Sequence, residues 1–324
     1  MAALRNWPWP KKLALLWLGI VVALGLLAPF LPLPFAPATP DLARPALPPG
    51  LDSPHWLGTD AQGRDVLANL LFGARTAVLF TLPAALLAAA LGTLAGGAAG
   101  FWRNDMPWPL PLLLLCLGAA WWALALPYFQ IGQALTVLAG LGLLLLYAFP
   151  RLRTRMPALS LPLDALLLGT AALLGTVPRL VLVLAVGSLG LPPAALLALL
   201  VLTTWPDTAR LVRAEMLRVS ALSFVEAAHS LGLPAFRVWW RHALPHAAQV
   251  LRAALPLSIA ALVGMENTLS FLGIGFAPTT PSWGRMLSSA RLAPEAWWLV
   301  ALPALPLAAT LLSLKVIARR QLAR

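Results

Sequence analysis

Long apolar runs alternate with polar segments along the chain, and this pattern predicts helices that cross a membrane. A helix needs about 20 consecutive apolar residues to span the hydrocarbon core of a bilayer. The run over residues 13–31 meets that length, as do runs over 75–101, 253–276 and 296–314. The segments between them contain clusters of Pro, Gly and charged residues, which are typical of loops. Each of these four runs is therefore predicted to be a single crossing. The four glycines at 92–100 in the second run form a stripe of small residues, which is predicted to let another helix approach closely.

Two other apolar regions are too long for one crossing. The 45 residues between Asp105 and Arg151 carry no charge, so they predict two helices, over 109–126 and 131–149. The region 163–207 is interrupted by Gly187, Gly190 and two prolines, and it also predicts two helices. The total is eight crossings, which places both termini on the same side of the membrane.

The basic residues indicate which side that is. Of the 23 Lys and Arg residues, 17 fall on the side of the termini, 5 on the other side, and Arg179 lies within a span. Cytoplasmic loops are enriched in Lys and Arg, so the termini and the segment 207–249 are predicted to be cytoplasmic. Segments 55–73 and 278–295 are predicted to face outside. For the first run, the alternative is a signal peptide cleaved near residues 36–38, but its apolar length favours an uncleaved anchor.

Composition and motifs exclude several function classes. The chain is 60% hydrophobic and 10% charged, which excludes a soluble globule. Its net charge of +12 is dispersed between the spans, which argues against a nucleic-acid partner. None of its three lysines lies in a phosphate-binding loop, and its single cysteine cannot form an intrachain disulfide. His242 and His246 are separated by Pro245 and have no evident third ligand, so no metal site is expected. An intramembrane enzyme would also lack a credible nucleophile and base.

The segment 207–249 contains a predicted helix-turn-helix. Ser223 and Glu226 have the spacing of a capping box, in which the Glu side chain folds back on the first turn. Gly232 is expected to end this helix, and a second helix is predicted over 234–243, with Pro245 ending it. By itself the pattern leaves two interpretations open: a functional element, or an amphipathic connector at the membrane surface.

Sequence motifs in this segment and elsewhere resemble a known family. The run Glu226-Ala227-Ala228-x-x-x-Gly232, followed by Arg241-His242-x-Leu244-Pro245, resembles the EAA loop of permease subunits of ATP-driven, binding-protein-dependent importers. Three more blocks are similar to the dipeptide, oligopeptide and nickel branch: residues 57–66 with Gly73-x-Arg75, residues 205–213, and residues 266–275 continuing to 281–287. The resemblance covers roughly residues 10–316 apart from one insert.

The resemblance implies an all-α polytopic fold, the transmembrane domain of a type I ABC importer, with six core helices plus an inserted hairpin at about 106–150. The domain boundaries it implies are 1–74 for an anchor helix and outer loop, 75–316 for the permease domain, and 317–324 for a basic tail. It implies multi-pass insertion in a prokaryotic inner membrane among lipid. The implied protein partners are a second permease subunit in a heterodimer, two ATP-binding cassette subunits that bind the ATP, and an extracytoplasmic solute-binding protein.

The resemblance also implies roles for individual residues. Its coupling loop to the ATPase would include Glu226, Ala227, Ala228, Gly232, His242 and Pro245. Glu226 is expected to cap its own helix rather than to form an ion pair with the ATPase.

Charged and hydroxyl groups within the spans are separate candidates for the translocation path. They are Arg179, Glu266 and Ser270, and a mutual ion pair between Arg179 and Glu266 is predicted because an unpaired charge in the bilayer is costly. The alternatives are snorkelling of Arg179 and a protonated Glu266. An alternative for the whole protein is a secondary transporter or channel working without an ATPase, although no repeat with broken helices is visible.

Overall fold

The computed structural model describes residues 9–37, 39–50, 53–109, 158–190 and 192–322. Within these ranges the regular secondary structure is almost entirely helical. The helices are α1 (Trp9–Leu27), α2 (Val66–Thr76), α3 (Leu82–Trp102), α4 (Leu163–Thr176), α5 (Arg179–Gly187), α6 (Pro193–Ser220), α7 (Ser223–Ser230), α8 (Ala235–Val238), α9 (Leu244–Ala247), α10 (Leu251–Phe271), α11 (Trp283–Ser289) and α12 (Trp298–Leu322). Two short strands, β1 (Met106–Pro109) and β2 (Ala158–Leu161), form an antiparallel pair.

Among the described residues, five helical segments are long and apolar enough to cross a membrane, and a bent pair of helices makes up to six. The all-helical membrane class predicted from the apolar runs is therefore confirmed. The two crossings predicted within 109–149 lie outside the described residues, so the count of eight remains a prediction. Met106 pairs with Leu161 and Pro109 with Ala158, so the chain enters and leaves the segment 110–157 at neighbouring positions.

The second crossing begins earlier than its apolar run suggests. Helix α2 starts at Val66, nine residues before the predicted start, and continues through a π-helical turn into α3. The Oδ1 atom of Asp65 accepts a hydrogen bond from the backbone N–H of Ala68 at 2.7 Å and so caps the helix. A capping carboxylate satisfies one of the unpaired N–H groups of the first turn, which lets the helix begin in a polar segment.

The region 163–207 departs from its prediction in two ways. The first of its two spans is broken into α4 and α5, which meet at 72° beside Pro178. Proline lacks an N–H group and clashes with the preceding turn, so it accounts for the bend. The second helix, α6, continues to Ser220, and Asp207 therefore lies inside this helix rather than at its end.

Helices α3 and α6 pack closely along the predicted stripe of small residues, which confirms that prediction. A Cβ atom on Gly96 would lie 2.1 Å from the backbone oxygen of Ala209, and one on Gly92 would lie 2.7 Å from that of Trp205. Small residues allow this approach, which is a common means of helix association in membranes.

Helix α11 lies in the second of the two loops that are predicted to face outside, which we call the outer loops. No helix is predicted there. Ser282 caps its first turn, with its Oγ atom accepting from the Arg285 N–H at 3.2 Å. A Cβ atom on Gly284 would lie 2.0 Å from the carbonyl oxygen of Asn267, so α11 rests directly on the backbone of α10. Its Trp283 donates to the Leu70 carbonyl at 3.0 Å, which ties α11 to α2.

Candidate functional sites at the two ends of the bundle

The long helical segments place two candidate sites at opposite ends. At one end, which we call the loop end, Phe101 stacks on His229 with ring centroids 6.1 Å apart, and Trp102 contacts Trp239 at 5.1 Å. At the other, the cavity end, the outer loops meet α2, the end of α10 and α11. The helical segment Val66–Trp102 joins the two ends.

The predicted capping box of α7 is not formed, which corrects the expectation for Glu226. Leu222 is the N-cap residue, no side chain caps the helix, and Ser223 already lies in its first turn. A serine within the helix cannot make the N-cap bond, so the reciprocal bond from Glu226 is lost as well. Glu226 is exposed, and its carboxylate has no partner among the residues that the structure describes.

Helix α7 has one buried and one exposed face. Val225 and Ala228 are buried and pack with Val238 against Phe101, whereas Glu226 and Ala227 are exposed. The following Leu231 is 80% exposed. The exposed face is therefore available to another protein.

Gly232 has a left-handed backbone conformation, with φ of +74°, as expected for the residue that ends this helix. Its N–H bonds the His229 carbonyl at 2.9 Å. A Cβ atom at this position would have no neighbouring atom within 4 Å, so the chain itself leaves open space beside this glycine.

The prediction that Pro245 ends the second helix is wrong. The chain stays helical from Ala235 to Phe271, through a π-helical turn at Trp239–Ala243. In that turn the Leu244 N–H bonds the carbonyl of Trp239, five residues back, so the hydrogen-bond pattern changes just before Pro245. Proline is tolerated at the start of a new helical turn because its missing N–H is not needed there.

The remaining members of the predicted loop lie on the same exposed surface. Pro245 and His242 are exposed. The Nδ1 atom of His246 is 2.8 Å from the carbonyl oxygen of His242, and its ring lies 5.1 Å from that of Phe224. We call this exposed surface, formed by Glu226, Ala227, Leu231, Gly232, His242 and Pro245, the loop surface.

A cavity of about 320 Å³ lies at the cavity end. Its lining includes residues of the first outer loop, the end of α10 and α11. The charged residues of this lining are Asp60, Arg64, Arg285 and Arg291.

The three arginines hold one segment of backbone. Arg64 donates from Nη1 to the Pro278 carbonyl at 3.2 Å, and Arg291 donates from Nη2 to the Phe271 carbonyl at 2.9 Å. Arg285 donates from Nη2 to the Phe276 carbonyl at 2.9 Å, and its Nη1 also contacts carbonyls of the same segment. All three guanidinium groups are therefore fixed by the chain between residues 271 and 280.

Burial shifts the pKa of two groups in this lining. Burial, with a smaller effect of nearby Arg64, lowers the pKa of Arg285, although an arginine keeps its charge at neutral pH. Burial also raises the pKa of Asp60, against the opposing effect of N–H groups from Arg64 and Gln62. Desolvation disfavours the charged form in both cases.

Two of the three candidates for the translocation path lie together. Ser270 donates from Oγ to Oε1 of Glu266 at 2.8 Å, and both side chains are buried. Ser270 also lines the cavity.

The predicted ion pair between Arg179 and Glu266 is not formed. Arg179 pairs with Asp207, which also accepts from Arg210 at 2.8 Å. Arg179 is the first residue of α5, just after the bend, and from there its side chain reaches α6. The sequence pattern places Asp207 at the end of a span, so it does not suggest this residue as the partner.

Sequence reasoning also missed the arginines of the cavity. Arg64 occurs within one of the family-like motifs, and Arg285 lies between motif residues at 281–287, but neither position is in a predicted span. Only the packing of α11 against α10 brings them to one cavity.

The chain matches the family described as "Binding-protein-dependent transport system inner membrane component" over residues 64–324, which include the loop surface and most of the cavity lining. The "Dipeptide transport system permease protein DppC" of Bacillus subtilis (strain 168) is 26% identical over 312 residues, covering 95% of this chain and 79% of the relative. A "Putative peptide transport system permease protein" of Brucella suis biovar 1 (strain 1330) is 29% identical over 307 residues, covering 94% and 83%. A "Peptidoglycan transport system permease protein YejE" of Agrobacterium fabrum (strain C58 / ATCC 33970) is 29% identical over 247 residues, covering 76% and 50%.

A match over most of the chain establishes the family, and the fold described above agrees with it. Such a family implies an ATPase and a binding protein as partners. The chain therefore belongs to the inner membrane components of binding-protein-dependent transport systems, as a multi-pass permease component of an ABC transport system and not as its ATPase.

Proposed function

We propose that this permease forms the translocation path for peptides that a binding protein delivers. The observation that carries the proposal is the similarity to dipeptide and peptide permeases over 94–95% of the chain. Membership in the family decides against a secondary transporter or channel that works without an ATPase. The proposed assembly is a heterodimer with a second permease subunit, two ATP-binding cassette subunits and an extracytoplasmic binding protein.

The loop surface is proposed to dock on an ATPase subunit. Glu226 has an unpaired carboxylate among the described residues, Leu231 is 80% exposed, and Gly232 has open space beside it, so this surface can accept a partner without rearrangement. The buried face of α7 packs against Phe101 at the end of α3, so a displacement of the docked surface would be passed to a spanning helix. Ala228 lies on the buried face of α7 and packs with Val225 and Val238 beneath the loop surface.

The face of α5 and α6 that carries Arg179, Asp207 and Arg210 is proposed to border the translocation path or the second permease subunit. Their side chains are 29%, 47% and 51% exposed in the isolated chain, although they lie in helices of spanning composition. A charged side chain at the centre of a bilayer costs about 2.5–3.5 kcal/mol on insertion scales, so a lipid-facing position is disfavoured. Glu266 and Ser270 are proposed to border the same path near its outer end.

Eight spans with cytoplasmic termini are proposed for the topology. The division of 17 and 5 basic residues supports this orientation, and the pairing of β1 with β2 supports an even number of crossings within 110–157. The proposed domains are 1–74, 75–316 with the insert at about 106–150 and the coupling loop at 207–249, and a basic tail at 317–324. A reporter fused to the C-terminus should be active only in the cytoplasm, and an external signal would contradict the topology.

The transport function is tested in proteoliposomes that contain the permease, its second permease and the ATPases. Radiolabelled dipeptides and tripeptides should accumulate only when the binding protein and ATP are both present. Replacing ATP with a non-hydrolysable analogue is the matched control. Uptake that persists with the analogue, or ATP-dependent uptake of nickel ions but of no peptide, would contradict the proposal.

A further inference from the structure

The cavity end carries an excess of positive charge that the chain does not neutralise. Three arginines and one aspartate are the charged residues of the cavity lining. Among the described residues, no carboxylate lies within ion-pair distance of Arg64, Arg285 or Arg291; the hydrogen bonds that these side chains donate go to backbone carbonyls. The backbone therefore fixes the positions of the guanidinium groups, while Asp60 interacts electrostatically with Arg64, and Glu266 with Arg285, without forming an ion pair.

One of these groups has an unused donor. The Nε atom of Arg64 is buried and has no acceptor among the described residues. A buried donor without an acceptor is costly, and most such groups in folded proteins are paired. Arg64 also lines the cavity, so a ligand with anionic oxygens could supply the missing acceptor.

The single acidic group of the lining competes weakly for the arginines. Asp60 accepts hydrogen bonds from the backbone N–H groups of Gln62 at 2.8 Å and of Arg64 at 2.9 Å. These bonds hold its Oδ1 atom within its own turn, and burial raises its pKa. The Asp60 carboxylate is therefore engaged within its own turn and forms no ion pair with the three arginines of the lining.

We propose that this cavity binds a carboxylate group of the transported solute, the C-terminal carboxylate in the case of a peptide. The proposal rests on the peptide transport proposed above and adds a site within the permease itself. Arginine is suited to carboxylates because its planar guanidinium can donate two parallel hydrogen bonds. A volume of about 320 Å³ lies at the lower end of the range for small-ligand sites, so it accommodates the end of a peptide rather than a whole oligopeptide.

The position of the site fits a step between delivery and translocation. Ser270 lies in the lining and donates to Glu266 within α10, so the cavity adjoins the buried polar groups of a spanning helix. A solute anchored by its carboxylate at Arg64 and Arg285 would lie beside the outer end of the proposed path.

The test compares two probes, dialanine and dialanine amide, in proteoliposomes with the complete importer. Each probe is used at saturating concentration with the same binding protein, so discrimination by that protein cancels in the ratio of wild-type to variant uptake. Arg64→Gln should lower maximal uptake of dialanine about tenfold or more, because a hydrogen bond to a charged group is lost, and should change uptake of the amide less than twofold. Arg44→Gln, an exposed arginine of the same loop outside the lining, is the matched control and should change neither.

A second measurement removes the dependence on delivery. The purified membrane complex without binding protein should gain thermal stability with N-acetyl-dialanine but not with its amide, and Arg64→Gln should abolish that gain. Arg285→Lys, which keeps the charge, should retain part of it. This assay requires neither delivery by the binding protein nor transport of a peptide. It therefore tests the cavity even if the binding protein does not deliver the amide or if the importer carries no peptide. Failure of the proposed function is thus distinguished from failure of the site.

Three results would overturn the proposal. The first is an equal loss of uptake for both probes with unchanged ATPase stimulation, which would make Arg64 a purely structural residue. The second is an equal loss together with weaker stimulation of the ATPases by the binding protein, which would assign the arginines to docking an acidic side chain of that protein. The third is equal thermal stabilisation of the wild type by N-acetyl-dialanine and its amide.

Discussion

Replacing Gly232 with leucine should uncouple transport from ATP hydrolysis without unfolding the permease. Gly232 has a φ of +74°, and a Cβ atom there would meet no atom of the described residues within 4 Å. The effects of Gly232→Leu therefore divide into backbone strain within the chain and obstruction of a partner outside it. The two contributions can be measured separately.

The strain can be estimated from the backbone conformation. A non-glycine residue in the left-handed region costs roughly 1–2 kcal/mol, so Gly232→Ala and Gly232→Leu should lower the free energy of unfolding by similar amounts. An extra side chain in a packed interface costs about 1–3 kcal/mol, which corresponds to a loss of about 5- to 150-fold in docking affinity. Only the leucine variant should show this second effect in full.

Gly190 offers a matched control. It has a φ of +68°, and a Cβ atom there would likewise have no neighbouring atom within 4 Å, but this glycine lies between α5 and α6, away from the loop surface. Gly190→Leu should therefore match Gly232→Leu in thermal stability. It should leave the ratio of peptide uptake to ATP hydrolysis at the wild-type value, whereas Gly232→Leu should lower this ratio about tenfold.

The assay measures uptake and ATP hydrolysis in the same proteoliposomes, and thermal unfolding on the same purified complexes. Wild-type uptake per ATP in Gly232→Leu would refute the assignment of Gly232 to a docking surface. An equal loss in Gly190→Leu would refute it as well, because backbone strain alone would then explain the effect.

Two further predictions concern packing and the insert. Gly96→Val should prevent α3 from packing on α6, because its Cβ would lie 2.1 Å from the Ala209 oxygen. Size-exclusion chromatography should detect loss of the assembled subunit, and a normally assembled variant would contradict this prediction. Replacing residues 110–157 with Asn-Gly would connect the paired residues Pro109 and Ala158 by a hairpin turn. The variant should retain assembly and uptake. Lost uptake in an assembled, ATP-hydrolysing complex would place the insert in the transport path.

The membrane class and much of the helical layout could be predicted from the sequence. Crossing a bilayer depends on the average polarity of about 20 neighbouring residues, which can be read locally, and the runs at 13–31 and 296–314 correspond to helices of spanning length. The small residues around Gly96 likewise predicted a close helix contact, because only the absence of a side chain permits one. The motif from Glu226 to Pro245 was sufficient to suggest the family.

Local patterns were less reliable where a neighbouring turn could change the backbone. Ser223 had the spacing of a helix cap but lies inside the helix, and Pro245 had the character of a helix end but lies in a continuous helical segment. In the second case a π-helical turn changes the hydrogen-bond pattern before the proline. Residue type indicates a preference at such positions, while packing against Phe101 and Trp102 decides the outcome.

Which polar groups meet depends on how the helices pack. The partner of Arg179 depends on the bend before α5 and on the rotation of α6, which together place Asp207 rather than Glu266 within reach. The gathering of Arg64 and Arg285 at one cavity depends on α11 resting on α10 through Gly284. These contacts join residues far apart in the chain, and their geometry is set by relative helix depth and rotation, which no local pattern of hydrophobic and polar residues encodes.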